Sequence, residues 1–230
     1  MEFPKLAGVF ENLGLDLAQR KIRQGWLAVW MVAVIHLVGA GLLTFGKDGF
    51  YELALFFTPV NLCLTAWVAF YFQEVKTVGF YKFLAVGFGL GTAIELVGVQ
   101  TGWPFGEYTY GPVLGPKWMG TPLVIGVNWL LVTYGVGCFL QEIKVPIWTK
   151  VVVGTGILVF MDYFMEPVAM KHNFWNWASG SIPNANYAGW AGTAFVLLSL
   201  FYYLPFPKTN PVASRIWIVQ FWFFVVQNLF

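Results

Sequence analysis

Seven runs of mostly apolar residues, at about 25–45, 50–72, 80–100, 121–140, 147–168, 187–204 and 212–229, limit what this chain can fold into. Each is close to the roughly 20 residues that a helix needs to cross a bilayer. In hydrocarbon every backbone N–H and C=O must be bonded within its own segment, so runs of this length form helices. Gly, Pro or charge separates each run from the next. Only 10% of the 230 residues are charged, while 58% are hydrophobic, against about 25% charged in soluble domains. The expected fold is an all-α integral membrane protein of about seven transmembrane helices, forming one domain over residues 25–230. Residues 1–24 are expected to form an interfacial amphipathic helix, with Leu6, Phe10, Leu13 and Leu17 on one face and Arg20, Lys21 and Arg23 at its end.

Lys and Arg set the orientation of such a bundle. Lys5, Arg20, Lys21, Arg23, Lys76, Lys82, Lys144, Lys150, Lys208 and Arg215 fall on the side of the N-terminus, and Lys47, Lys117 and Lys171 on the other. The N-terminus is therefore expected in the cytoplasm, in a multi-pass chain of the cell's inner (plasma) membrane. A net charge of +2 with no basic run argues against a nucleic-acid partner. Cys63 and Cys138 lie inside apolar runs and read as small buried hydrophobes.

The outer side then carries the two long connections. Residues 101–117 form a loop dense in Trp, Tyr, Gly and Pro, and residues 169–187 form a second. Both point to a held shape rather than a plain linker. Below them the apolar runs carry acids. Glu95 lies near the outer end of the third run, and Asp162 and Glu166 stand four apart on one face of the fifth. At 1.5 Å per residue, Asp162 is roughly 9 Å below the outer edge. Ionisable groups at such depth are functional by default. No Lys or Arg lies at matching depth, so burial and mutual repulsion favour a neutral, proton-donating acid. His36 reads instead as a hydrogen-bonded core residue, and the Thr58–Asn61–Thr65 stripe and Asn128 as hydrogen bonds between helices.

Several chemistries are absent from the pattern. Two histidines, with no His-x-x-x-His and no Cys-x-x-Cys, give no metal site. The paired Asp-rich motifs of membrane prenyltransferases are missing. Gly87-x-Gly89-x-Gly91 lies inside a membrane run without a preceding strand, so Gly87 and Gly91 read as a close-packing pair and not a nucleotide loop. The seventh run has no Lys for a retinal Schiff base.

Two blocks are more specific. The first is Glu95-x-x-Gly98-x-x-Thr101-Gly102-x-Pro104-Phe105-Gly106-x-Tyr108-x-Tyr110, followed by Leu114-Gly115-Pro116. The second is Asp162-x-x-x-Glu166-Pro167-Val168-Ala169, then Trp175-x-Trp177, then Ile182-Pro183-Asn184-x-Asn186-Tyr187-x-Gly189-Trp190. Together they resemble the membrane carotenoid-biosynthesis hydratases, of the carotenoid 1,2-hydratase and bisanhydrobacterioruberin hydratase type. The chain departs from that pattern in having Glu166 where Asp is common before the Pro, and Asn173-Phe174 where Gly-Tyr is common.

The resemblance implies addition of water across the terminal C1=C2 bond of a ψ-end, of the γ-carotene or lycopene type, without a cofactor. Asp162, Glu95 and Glu166 are the expected catalytic residues; Asp162, the deeper of the pair on the fifth run, is expected to protonate C2, while Glu166 and Glu95 orient water and balance charge. Trp103, Phe105, Glu107, Tyr108, Tyr110, Trp175, Trp177, Asn184 and Asn186 would contact the substrate or the C1 cation. The expected partners are a carotenoid taken from the bilayer, water and membrane lipids, with other carotenoid-pathway enzymes also open. Two rival readings are a lycopene-type cyclase, whose Pro-Glu-Glu type motif is missing here, and a non-catalytic carotenoid-binding protein, which has no use for three buried acids.

Overall fold

A computed structural model describes the backbone of residues 3–230 and the side chains of residues 19–230. Seven helices follow the seven apolar runs: α1 (Phe3–Phe45), α2 (Phe50–Tyr71), α3 (Val78–Thr101), α4 (Val124–Gln141), α5 (Ile147–Lys171), α6 (Asn184–Tyr203) and α7 (Pro211–Gln227). Five of them are long and apolar enough to cross a membrane: α1 from Gln19, and α2 to α5. α6 and α7 fall outside that set, and α7 has only 17 residues. They pack against the rest, α6 along α5 and α7 along α1 and α4. Large apolar side chains such as Trp30, Leu37, Phe56, Val60, Trp67 and Phe160 point outward, as expected of a surface that faces lipid rather than water.

Local chemistry sets the helix ends. Thr77 accepts from the Phe80 N–H at the start of α3, and Asn210 accepts from the Ala213 N–H at the start of α7, where Pro211 follows. α1 continues through the expected break near residue 24. The faces proposed for Leu6, Phe10, Leu13 and Leu17 lie outside the described side chains.

α4 is the central helix, buried on nearly every side and packed against α2, α3, α5, α6 and α7. Small residues let its neighbours close on it. A Cβ on Gly87 would meet Leu130 Cδ2 at 2.6 Å, and one on Gly91 would meet Trp129 Cβ at 2.7 Å. The pair reads as packing, as its position in a membrane run indicates. The cysteines divide: Cys138 on α4 is buried, but Cys63 on α2 is exposed, contrary to the expectation for both. Thr58, Asn61 and Thr65 bond within their own helix, Thr58 to the Ala54 carbonyl and Thr65 to Asn61, rather than across helices.

The connections at the far end of the bundle from Lys21 and Glu74 contain the only strands among the described residues. These are β1 (Tyr108–Tyr110), β2 (Lys117–Trp118), β3 (Thr121–Pro122) and β4 (Trp175–Trp177). β2 and β3 form a small hairpin, while β1 pairs antiparallel with β4, joining the two long loops. The loops expected from sequence are thus one hydrogen-bonded roof. Asn173, at φ 56, turns the chain into β4. Asn is among the few side chains that tolerate this glycine-favoured region.

Candidate functional site

The register Tyr108↔Trp177 and Tyr110↔Trp175 puts four aromatic side chains on one face of the β1–β4 ladder. Successive strand residues point to opposite faces, so Tyr-x-Tyr and Trp-x-Trp each send two polar tips the same way. All four are buried, and all four point at acids.

Tyr108 and Tyr110 each donate an O–H to Glu95 Oε2 at 2.6 Å. Trp129 on α4 donates its indole N–H to Glu95 Oε1 at 2.8 Å. The close approach at Gly91, one turn earlier on α3, makes that reach possible. Gly102, at φ 74, ends α3 and sends the chain back over its own last turn. A Cβ on Gly98 would lie 2.6 Å from the Tyr108 hydroxyl, so only glycine lets the loop settle there.

The second half mirrors the first. Trp175 and Trp177 donate to Glu166 Oε2 at 3.0 and 2.7 Å. Asn186, in the first turn of α6, bridges the pair on α5, donating to Asp162 Oδ2 at 2.7 Å and to Glu166 Oε1 at 3.1 Å. Asp162 Oδ1 is buried without a partner. Glu95, Asp162 and Glu166 are at most 5% exposed. Burial, and then the Glu95 carboxylate, push the Tyr108 and Tyr110 hydroxyls well above the usual tyrosine range, so both stay protonated donors.

Between the two halves lies a cavity of about 20 Å³, lined by Glu95, Glu166, Tyr108, Tyr110, Trp129 and Asn186, among others. That volume is enough for about one water molecule. No Lys or Arg borders it. Among the described residues no three His, Cys, Asp or Glu side chains are placed to hold a metal ion. Beside it, a larger groove of about 260 Å³ runs between α1, α2, α4 and α7. Ile125, Asn128 and Trp175 line both spaces and form the wall between them.

Most of the expected site residues therefore converge. Glu95, Glu166, Phe105, Tyr108, Tyr110, Trp175, Trp177 and Asn186 line the small chamber, and Asp162 stands behind it through Asn186. Trp103, Glu107 and Asn184 are exposed and do not line it, so the structure gives them no place among its contacts. Trp129 and Trp190 were not expected. Their ring centroids lie 4.1 Å apart with the planes tilted by 36°, and Trp129 holds Glu95. A signal existed: a buried indole N–H needs an acceptor, and Trp129 and Glu95 lie at the same depth on adjacent helices.

Fold and site define a helical membrane protein with a buried acid cluster beneath an aromatic roof. Residues 56–230 match the family described as carotenoid biosynthesis protein, and the chain belongs to that family. It is 29% identical over 191 residues to the bisanhydrobacterioruberin hydratase of Haloarcula japonica, covering 73% of this chain and 62% of that protein. No solved structure matches.

Proposed function

We infer that the chain hydrates the terminal C1=C2 bond of an acyclic carotenoid end. The observation that carries this reading is a chamber the size of one water, set between acids and aromatic faces and walled off from a groove open to lipid. The hydratase named above supports the same chemistry.

The alkene enters from the groove and meets the chamber at Ile125, Asn128 and Trp175. Asp162 holds the proton, because its Oδ1 is the one carboxylate oxygen of the three acids without a donor. Asp162 does not border the chamber, so the proton passes through Glu166, which does. It is added to C2 and leaves a tertiary cation at C1. Desolvated aromatic faces stabilise a cation by about 2 kcal/mol or more, and Trp175, Trp177, Tyr108 and Tyr110 supply them. Water in the chamber attacks C1 and loses its proton to Glu95, whose three partners are all donors and complement a carboxylate. Solvent returns that proton to the Asp162–Glu166 pair. The reaction changes no oxidation state overall and calls for no redox cofactor. The water-sized space between the acids favours capture of the cation by water over capture by an internal alkene, which a cyclase requires.

In this reading the substrate comes from the bilayer of the inner membrane. All seven helices cross it, with the basic loops in the cytoplasm and the aromatic roof outside. Expression in a γ-carotene-producing bacterial host tests the chemistry. A 1-hydroxy product 18 mass units heavier is expected, from one added water. A cyclised product, or unchanged γ-carotene with the protein present in the membrane, would overturn it. A reporter fused after Phe230 should be active outside the cytoplasm.

A further inference from the structure

The groove is mostly apolar, but it is not uniformly so. Its mouth is formed by Val38, Leu53 and Phe57, all about half exposed on the lipid-facing side. Deeper in, it is lined by His36 of α1, Asn61 of α2 and Gln220 of α7. The mechanism above uses none of these. Gln220 is 5% exposed, and its side-chain Oε1 is buried with no hydrogen-bond partner. A buried acceptor without a donor is a standing cost to the fold. His36 Nδ1 bonds the Val32 carbonyl at 2.8 Å. A carbonyl only accepts, so Nδ1 carries the ring proton and Nε2 of the neutral ring is left as an acceptor. Asn61 Oδ1 already accepts from Thr65.

Gln220 Oε1 is thus left without a donor, although the amide N–H groups of Asn61 and Asn128 line the same groove. A hydrocarbon fills its apolar part but leaves Gln220 unmet. An aliphatic alcohol supplies both the chain and the O–H. We propose that the groove between α1, α2 and α7 binds the end of an acyclic isoprenoid alcohol, whose hydroxyl donates its one proton to Gln220 Oε1. The shared wall at Ile125, Asn128 and Trp175 places this subsite next to the acid chamber. At about 260 Å³ the groove is below the usual range for a drug-sized ligand. It takes one end of a long polyene, and the remainder stays in the bilayer through the mouth. The site deepens the hydration reading and rests on it for the source of the alcohol. That source is either the product leaving the chamber or a substrate that already carries a hydroxyl.

The test compares geranyllinalool, a C20 acyclic tertiary alcohol, with the matching C20 hydrocarbon lacking the hydroxyl. Binding is read as the ligand-dependent rise in unfolding temperature of the purified protein in lipid nanodiscs. Wild type should bind the alcohol about five- to tenfold more tightly, the worth of one buried hydrogen bond. Gln220→Leu, which keeps the volume and removes the acceptor, should bring the two within about twofold. Gln220→Met serves the same purpose should the Leu variant not fold. Equal binding by wild type, or an undiminished preference in the folded variant, would overturn the subsite. Turnover separates the sources. If the alcohol is the product, its inhibition of hydration weakens by that factor in Gln220→Leu. If it is a substrate, the kcat/KM preference for a hydroxylated end falls instead. The binding preference needs no turnover. A protein that prefers the alcohol yet makes no hydrated carotenoid keeps this site and loses the hydration reading, and the converse result does the reverse.

Discussion

Trp129 on α4 donates its indole N–H to Glu95 Oε1 on α3 over 2.8 Å, 34 positions away in sequence. Both residues are buried, and the same indole ring packs against Trp190 of α6. One side chain thus fixes an acid and ties three helices together at the level of the chamber. Trp129→Phe keeps most of the ring contact and deletes the donor. A buried hydrogen bond to a charged group contributes about 1.5–3 kcal/mol. Conversion in membranes should fall by about tenfold or more, with a stability loss of that size in detergent unfolding. Full activity in Trp129→Phe would remove this indole from the site.

Gly98 offers a more local test. An added methyl would sit 2.6 Å from the Tyr108 hydroxyl and 2.9 Å from Phe105 Cδ2. Both neighbours are buried beneath the β1–β4 ladder, so neither can move freely. Gly98→Ala should displace Tyr108 from Glu95, cost about 1–3 kcal/mol and lower conversion. Gly89→Ala is the control, since nothing lies within 4 Å of its added Cβ. Equal behaviour of the two variants would mean that the loop does not depend on this contact.

The helices were legible because twenty-residue apolar runs have few other solutions in a membrane, and the observed bounds follow the expected runs within a few residues except at the start of α1, which reaches back to Phe3 instead of breaking near residue 24. The start of α6 at Asn184 was less so, because Asn184 and Asn186 read as loop. The ladder between β1 and β4 was hidden for a different reason. Strands of three residues carry too short an alternation to signal pairing, and the partners are far apart in the chain. The i, i+2 spacing of Tyr108 with Tyr110, and of Trp175 with Trp177, was the trace they left. The acids were legible as isolated charges in apolar runs, whereas their donors were not: a Trp in an apolar run looks like any other core residue.

Acid should loosen the end of the bundle beneath the aromatic roof through His172, which follows α5. Its imidazole is bonded to the Tyr51 hydroxyl at 3.0 Å, and the ring is buried. Burial lowers its pKa below the ordinary 6.5, Lys171 adds to that, and Gln227 opposes it. The unfolded chain therefore takes up a proton, as pH falls through 6.5, that the folded chain resists. This stability is fully present above about pH 6.5 and declines below it. His172→Gln should flatten that part of the profile. Unfolding temperatures of wild type and variant between about pH 5 and 8 measure the difference, and parallel curves would exclude His172 as the source.

The acids themselves should separate by stability as well as by activity. Every partner of Glu166 is a donor: Trp175, Trp177 and Asn186. Glu166→Gln turns one acceptor oxygen into an NH₂ facing N–H groups, so at least one buried donor loses its acceptor. The expected cost is about 1–3 kcal/mol. Asp162 differs, because Oδ2 takes the Asn186 donor and Oδ1 takes none. Asp162→Asn can keep its oxygen toward Asn186 and turn its NH₂ into the unpartnered position, at little cost in stability. Both variants lack the proton that the reaction needs, so both should lose hydration. An unfolding series run beside product analysis reads the two effects apart. Wild-type conversion by a stable Asp162→Asn would take the proton away from Asp162, and a stable, inactive Asp162→Asn beside a weakened, inactive Glu166→Gln is the result this geometry requires.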